Sequence, residues 1–208
     1  MFISRVEMSW NEVRNPYEIH RRLWRLFPDE VRETRRDAAE ARQGFLFRFE
    51  QYVTGRPLRV LLQSRKAPAV AEGAALLGVR EFDPHPEAGQ SLAFVLTANP
   101  IKTVADVFKD SKPDKRSTGV RVPLLKEEQQ RDWLTRKLAG IADLDQVAIA
   151  PQAPIYFRKA NRAGKIVPAV FEGTLRVADG DALRKLLLGG VGPAKAFGCG
   201  LLLVRRIS

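Results

Sequence analysis

The run Asn15-Pro16-Tyr17-Glu18-Ile19-His20-Arg21-Arg22-Leu23-Trp24-Arg25-Leu26-Phe27 holds the residue types of this chain best suited to chemistry. At 3.6 residues per helical turn, Tyr17, His20 and Trp24 fall close together. Ile19, Leu23 and Phe27 form the adjoining apolar arc, and Arg21, Arg22 and Arg25 lie round the other side. Imidazole titrates nearest neutrality, so His20 can take a proton from one oxygen and return one to another. The same spacing suits a histidine packed at the edge of a core, and taken alone it favours that reading. His85, between Pro84 and Pro86, reads as incidental to function, and these are the only two histidines. With Cys199 as the single cysteine, no intramolecular disulfide can form and a zinc site of His and Cys is hard to assemble. Carboxylates remain able to hold magnesium. Cys199, flanked by glycines, reads as a small filler rather than a nucleophile.

The second informative stretch is Gly189-Gly190-Val191-Gly192-Pro193-Ala194-Lys195-Ala196-Phe197-Gly198-Cys199-Gly200, with five glycines in twelve residues. Such density marks positive backbone φ or a close approach by another group. It follows an expected helix and precedes an expected strand, whereas phosphate-binding glycine loops run from a strand into a helix. A nucleotide site of the Rossmann or P-loop kind is therefore disfavoured. Successive amides could still cradle an anion beside Lys195, or the glycines could serve a sharp turn.

Thirty-five basic side chains against 24 acidic give a net charge of +11, which speaks to partners rather than to fold. Nucleic acid leads and an anionic membrane surface is the competitor. No apolar run approaches the roughly 20 residues of a spanning helix, and the N-terminal ten residues lack the apolar core of a secretory signal, so a cytoplasmic location is expected. Between Pro100 and Lys126 stand seven basic residues and three acidic, including Lys102, Lys112, Lys115 and Arg116, in what reads as a mobile basic loop. Arg158, Lys159, Arg162 and Lys165 follow without an acid, and Asn161 to Gly164 suits the tip of a hairpin. Each cluster alone could be a solvated face; together with Lys195 they favour nucleic acid.

The elements that must position these groups alternate in a recognisable order. Phe2–Ser9 reads as a half-buried strand, Asn15-Pro16 as the cap and first position of a helix reaching about Phe27, and Pro28 to Arg42 as an exposed charged insert. Phe45–Val53 and Arg56–Ser64 read as strands, Ala67–Gly78 as a short helix, and Val79–Pro84 as a strand. The second half repeats the order: Ser91–Pro100 as a strand, a helix within Val122–Gly140 with apolar spacing at Leu125, Trp133, Leu134 and Leu138, then strands at Val147–Gln152, Pro154–Ala160 and Ile166–Val177. A helix capped by Asp179 or Asp181 and ended by Gly189-Gly190 precedes the final strand, Gly200–Ile207. This predicts an α+β protein of two tandem ferredoxin-like (RRM-like) domains, residues 1–88 and 89–208, joined through Pro84–Gln90. The 208 residues, 45% of them hydrophobic, suffice for such cores.

The N-terminal strand followed by NPYEIHRRLWRLFP, then LTANPIKT, VPLLKEEQQRDWLTRKL, FEGTLRV and GGVGPAKAFGCGLL, in that order and spacing, resemble the CasE (Cse3) family of CRISPR-associated endoribonucleases over the whole chain. Within the last motif, Gly190, Gly192, Gly198 and Gly200 match the family's glycine pattern, with Lys195 as its basic member. The resemblance implies recognition of a CRISPR-repeat RNA stem-loop and cleavage of precursor CRISPR RNA at the 3′ base of the stem, without metal or other cofactor. It implies 2′,3′-cyclic phosphate and 5′-hydroxyl ends, and retention of the product among the other protein subunits of Cascade. His20 falls on the family's catalytic histidine and Tyr17 on a tyrosine that assists it, which reverses the packed reading of His20. Arg21, Lys102 and the hairpin of Arg158 and Lys159 match RNA-contacting positions. Arg22, Lys112, Lys115, Arg116, Arg162 and Lys195 complete the basic candidates. A hairpin-binding subunit without useful cleavage is the alternative reading.

Overall fold

Alternation of apolar and polar residues makes Phe2–Met8 a strand, β1, with Val6 and Met8 turned into a core. A single turn, α1 (Trp10–Val13), leads to α2 (Pro16–Leu23), whose start is set by Asn15: its Oδ1 accepts the Tyr17 N–H at 3.2 Å, and Pro16 occupies the first helical position. The helix is shorter than the periodicity predicts. It tightens into a 3-10 turn at Trp24–Leu26, and Phe27 leaves helical geometry (φ −131°, ψ 63°) because Pro28 crowds the residue before it. The structure is a computed structural model that describes residues 1–30, 44–104, 120–159 and 162–207. Most of the charged insert, and Lys112, Lys115 and Arg116, lie outside the described residues.

Strands β2 (Phe45–Gln51), β3 (Leu58–Ser64) and β4 (Ala74–Glu81) complete an antiparallel sheet in the order β2-β3-β1-β4. Ile19, Leu23, Leu26 and Phe27 pack with Phe45, Phe47, Val60 and Leu62 beneath it. The helix expected over Ala67–Gly78 is absent. Pro68 and the positive φ of Gly73 (+80°) break that segment, and Ala74, Ala75 and Leu76 instead pair with Met8, Glu7 and Val6 of β1. Sheet pairing thus overrides the helix propensity of an alanine-rich run.

The second half contributes β5 (Ser91–Ala98), the paired β6 (Ile101–Val104) and β7 (Val120–Pro123), α3 (Glu127–Leu138) and β8 (Ala142–Pro151). There follow β9 (Ile155–Lys159), β10 (Arg162–Ile166), β11 (Ala169–Val177), α4 (Gly180–Gly189), a 3-10 turn at Lys195–Phe197 and β12 (Leu202–Arg206). The expected mobile basic loop therefore has paired strands at both ends. The main sheet runs β12-β5-β11-β8, all antiparallel. With the two hairpins β6–β7 and β9–β10 set aside, both sheets have the strand order fourth-first-third-second, so the chain is two ferredoxin-like folds in tandem, the first without its second helix. The single strand expected over Ile166–Val177 is split at Pro168, since proline cannot donate to a ladder. Arg162 pairs with Lys159 and Gly164 with Phe157, so Arg162 to Gly164, expected at the hairpin tip, belong to strand β10 instead. Leu125 precedes α3 and is 72% exposed; Leu124 takes the buried place. Asp179 caps α4 by accepting the Ala182 N–H at 2.9 Å.

Helix α4 is tied to the first half by polar contacts. Gln63 of β3, 2% exposed, donates from Nε2 to the Leu187 carbonyl at 2.6 Å, satisfying an orphan carbonyl of the last turn of α4. Arg184 of α4 pairs with Asp83 at 2.6 Å, and this contact holds the Asp83 carboxyl below its ordinary pKa.

Candidate active site and nucleic-acid interface

Helix α2 lies at the junction of the two halves. One face packs on its own sheet; the other meets β9 and the 3-10 turn of the glycine loop. His20 is half-buried against β2, with its ring centre 5.1 Å from Phe45 and 6.5 Å from Phe47, and the Trp24 ring meets it edge-on at 6.1 Å. One turn earlier, Tyr17 stacks on Phe157 of β9 at 6.5 Å and 18°, and Phe157 contacts Phe197 of the glycine loop at 4.3 Å. The Lys159 Nζ stands 5.4 Å from the centre of the Tyr17 ring, a cation–π arrangement. Helix, hairpin and loop thus converge through three aromatic rings.

Asn15 joins the same elements through hydrogen bonds. Beyond capping α2, its Nδ2 donates to the Arg158 carbonyl at 2.8 Å and its Oδ1 accepts the Arg158 N–H at 3.3 Å. Sequence reasoning reads Asn15 only as a cap, because nothing in linear spacing relates positions 15 and 158. Phe157 and Phe197 escape it for the same reason.

The basic candidates are distributed unevenly. Arg158 and Lys159 are exposed on the hairpin beside Tyr17, and the Arg162 backbone continues it. Arg21 is exposed and ion-paired with Glu18 one turn back. Arg22 is largely covered and faces Glu12 at 3.4 Å. Lys102 is exposed on β6, in a separate two-stranded sheet. Lys195 is half-buried, and its Nζ donates to the Gly189 carbonyl at the end of α4. Burial, and then the charge of Lys137, lower its pKa from the ordinary lysine value.

The glycine loop is packed against protein on several sides. Gly190 has φ +73° and ψ 160°, a region open essentially to glycine alone, and a Cβ there would stand 2.8 Å from a Leu46 methyl and 2.9 Å from the Gly200 carbonyl. Gly198 has φ +79°, and a Cβ there would press on the Phe49 ring at 3.0 Å. Gly192 lies on Trp133, and the Gly200 carbonyl accepts the Val191 N–H while its own N–H donates to the Thr97 carbonyl. The loop therefore fastens the second half to strand β2, the strand that supports His20.

Cys199 is fully buried inside this loop, and burial pushes its thiol up to about 12. At pH 8 only about one thiol in ten thousand is then ionised, and the thiolate is the reactive form. Iodoacetamide is expected to leave the native chain unmodified and to alkylate it once in denaturant; rapid native labelling would show instead that the loop opens. With the folded pKa raised from 9.0, the contribution of the buried thiol to stability is whole below pH 9 and declines as pH rises towards 12.

A cleft of about 560 Å³ opens elsewhere, lined by Arg5, Glu50, Leu77, Val79 and Leu203, and includes none of the candidate residues. Among the described residues, no group of three or more His, Cys, Asp or Glu side chains converges, and no helix is long and apolar enough to cross a membrane.

A tandem ferredoxin-like protein with a histidine-bearing helix wedged between its halves is the class that fold and geometry define. The family model described as "CRISPR associated protein" matches residues 1–206, and the chain belongs to that family. It is 39% identical over 204 residues to the CRISPR system Cascade subunit CasE of Escherichia coli (strain K12), covering 97% of this chain and 98% of that one. It is 32% identical over 210 residues to the CRISPR-associated endoribonuclease Cse3 of Thermus thermophilus, covering 93% and 91%. A solved structure of Thermus thermophilus Cse3 bound to an RNA representing a pre-cleavage complex superposes with a TM-score of 0.74 at 27% identity, over 99% of this chain and 100% of that one.

Proposed function

We propose that this chain is the endoribonuclease that processes precursor CRISPR RNA, acting in the cytoplasm and remaining with its product as a subunit of Cascade. The observation that carries the reading is the placement of α2: Tyr17 stands where the basic hairpin meets the helix and His20 follows one turn on, so a bound RNA stem would bring its base towards the imidazole. The organisation into residues 1–88 and 89–208 is part of the same reading, with the chemistry placed at their junction.

RNA carries its own nucleophile. The 2′-oxygen loses its proton and bonds to the adjacent phosphorus, the P–O5′ bond breaks, and the departing 5′-oxygen gains a proton. The products are a 2′,3′-cyclic phosphate and a 5′-hydroxyl. The protein must move protons and stabilise charge on the phosphorane, and neither task requires a metal or another cofactor. His20 transfers the proton, Tyr17 orients the phosphate, and Arg21, Arg22 and Lys102 supply positive charge. Arg158, Lys159 and Arg162 follow the phosphates of the stem, since double-stranded RNA is recognised largely by shape and backbone. Lys112, Lys115 and Arg116 extend the basic surface. Lys195 and the amides of the glycine loop border it.

Incubation with a synthetic RNA of the cognate CRISPR repeat in EDTA tests the reading. The expected result is one cut at the 3′ base of the stem, the stated end groups, and a single turnover because product stays bound. Binding without cleavage would instead identify a hairpin-capping subunit. For the hairpin, Arg158→Ala with Lys159→Ala is expected to weaken binding and to flatten its dependence on salt by about two counterions' worth of slope. A filter-binding series across salt concentrations reads both, and an unchanged slope would take β9 out of the RNA interface.

A further inference from the structure

We infer that Asn15 is a positioning residue that couples engagement of the basic hairpin to the placement of Tyr17 and His20. This rests on the function proposed above, in which the hairpin holds RNA and α2 acts on it. The Asn15 side chain makes three hydrogen bonds to two separate elements. Its Oδ1 accepts the Tyr17 N–H at 3.2 Å and the Arg158 N–H at 3.3 Å, and its Nδ2 donates a hydrogen bond to the Arg158 carbonyl at 2.8 Å. With respect to Arg158 it behaves as one more backbone partner in a ladder, fixing β9 in register with the first turn of α2.

The neighbouring contacts share that register. Phe157, next to Arg158, stacks on Tyr17, and Lys159, on its other side, stands over the Tyr17 ring. Gly164 pairs with Phe157 across the hairpin, and a Cβ there would collide with the Phe157 ring, so β9 cannot slide without disturbing this packing. A force on the Arg158 and Lys159 side chains from RNA phosphates is therefore delivered to the N-terminus of α2. From there the helix carries it one turn to His20. A displacement of about 1 Å in a reacting geometry can cost about a hundredfold in rate.

Capping and coupling can be separated by substitution. Serine caps a helix about as well as asparagine, yet its shorter side chain cannot reach both backbone groups of Arg158; alanine does neither. Asn15→Ser is expected to keep thermal stability near wild type and repeat-RNA affinity within a few-fold. It should lower the single-turnover cleavage rate at saturating RNA by about ten- to a hundredfold. Asn15→Ala should show the same loss of rate with lowered stability. In the Asn15→Ser background, adding Arg158→Ala and Lys159→Ala should cause little further loss of rate at saturating RNA, because the hairpin no longer reports to the helix.

Full-length wild type, His20→Ala and Asn15→Ser are compared on the same synthetic repeat RNA. Cleavage by Asn15→Ser at the wild-type rate, with His20→Ala inactive, overturns the coupling and leaves Asn15 a helix cap only. Rate losses from the hairpin substitutions that simply multiply with that of Asn15→Ser overturn it too. If wild type does not cut, or His20→Ala cuts as fast, the functional reading itself fails and the coupling falls with it.

Discussion

His20→Ala is expected to slow cleavage of the repeat RNA by about a hundredfold to ten-thousandfold while stem-loop binding persists, the loss that follows removal of a general acid or base. Binding survives because the charges assigned to RNA sit on the hairpin and around α2, and the imidazole itself is half-buried against Phe45 and Phe47. The apolar ridge that anchors the helix, Ile19, Leu23 and Leu26, is untouched by the change. A packed core histidine would behave differently: truncation would lower the melting temperature and leave the rate per folded molecule unchanged. Single-turnover rates, affinities and melting curves on the same preparations separate the two, and a His20→Ala protein that cuts at the wild-type rate would remove His20 from the chemistry.

Gly190→Ala should be the most damaging single methyl group in the glycine loop, costing about 2–4 kcal/mol. Backbone strain at φ +73° and ψ 160° accounts for roughly 1–3 kcal/mol of that. The rest comes from contacts of the new Cβ: the Leu46 methyl at 2.8 Å can rotate aside, whereas the Gly200 carbonyl at 2.9 Å belongs to a loop held by hydrogen bonds to Val191 and Thr97. For a chain of this size that loss is a fall of roughly 4–15 °C in melting temperature. Gly189→Ala is the matched control. Gly189 is the last residue of α4, a Cβ there meets nothing within 4 Å, and alanine suits a helix better, so this variant should melt at or slightly above wild type. Equal melting of the two variants would mean that the loop yields at Gly190.

Local patterns made much of the fold legible. Asn15-Pro16 announced one helix start, and Asp179 or Asp181 another, because capping is decided within a few residues, and β1 followed from its half-buried pattern. The errors share one cause. Ala67–Gly78 read as a helix because alanine favours one, but Ala74–Leu76 meets the open edge of β1, and a ladder partner outweighs intrinsic preference. Leu125 was placed on the apolar face of α3, but the helix begins only at Glu127, and in the segment before it Leu124 is the buried leucine. In the candidate site, the family motifs singled out Tyr17, His20 and the basic hairpin. Where the glycines press, on Leu46, Phe49 and Trp133, was not readable, since that depends on which surfaces the two halves present to each other.

Most of the strands, the starts of α2 and α4, the basic character and the residue types able to move a proton follow from composition and from neighbours within a few positions. That Asn15 meets Arg158 and that Tyr17 lies on Phe157 emerge only once the chain is packed. Each of those contacts depends on a relative placement set by burial of both sheets' apolar faces, a property of the whole packed chain that no local spacing records.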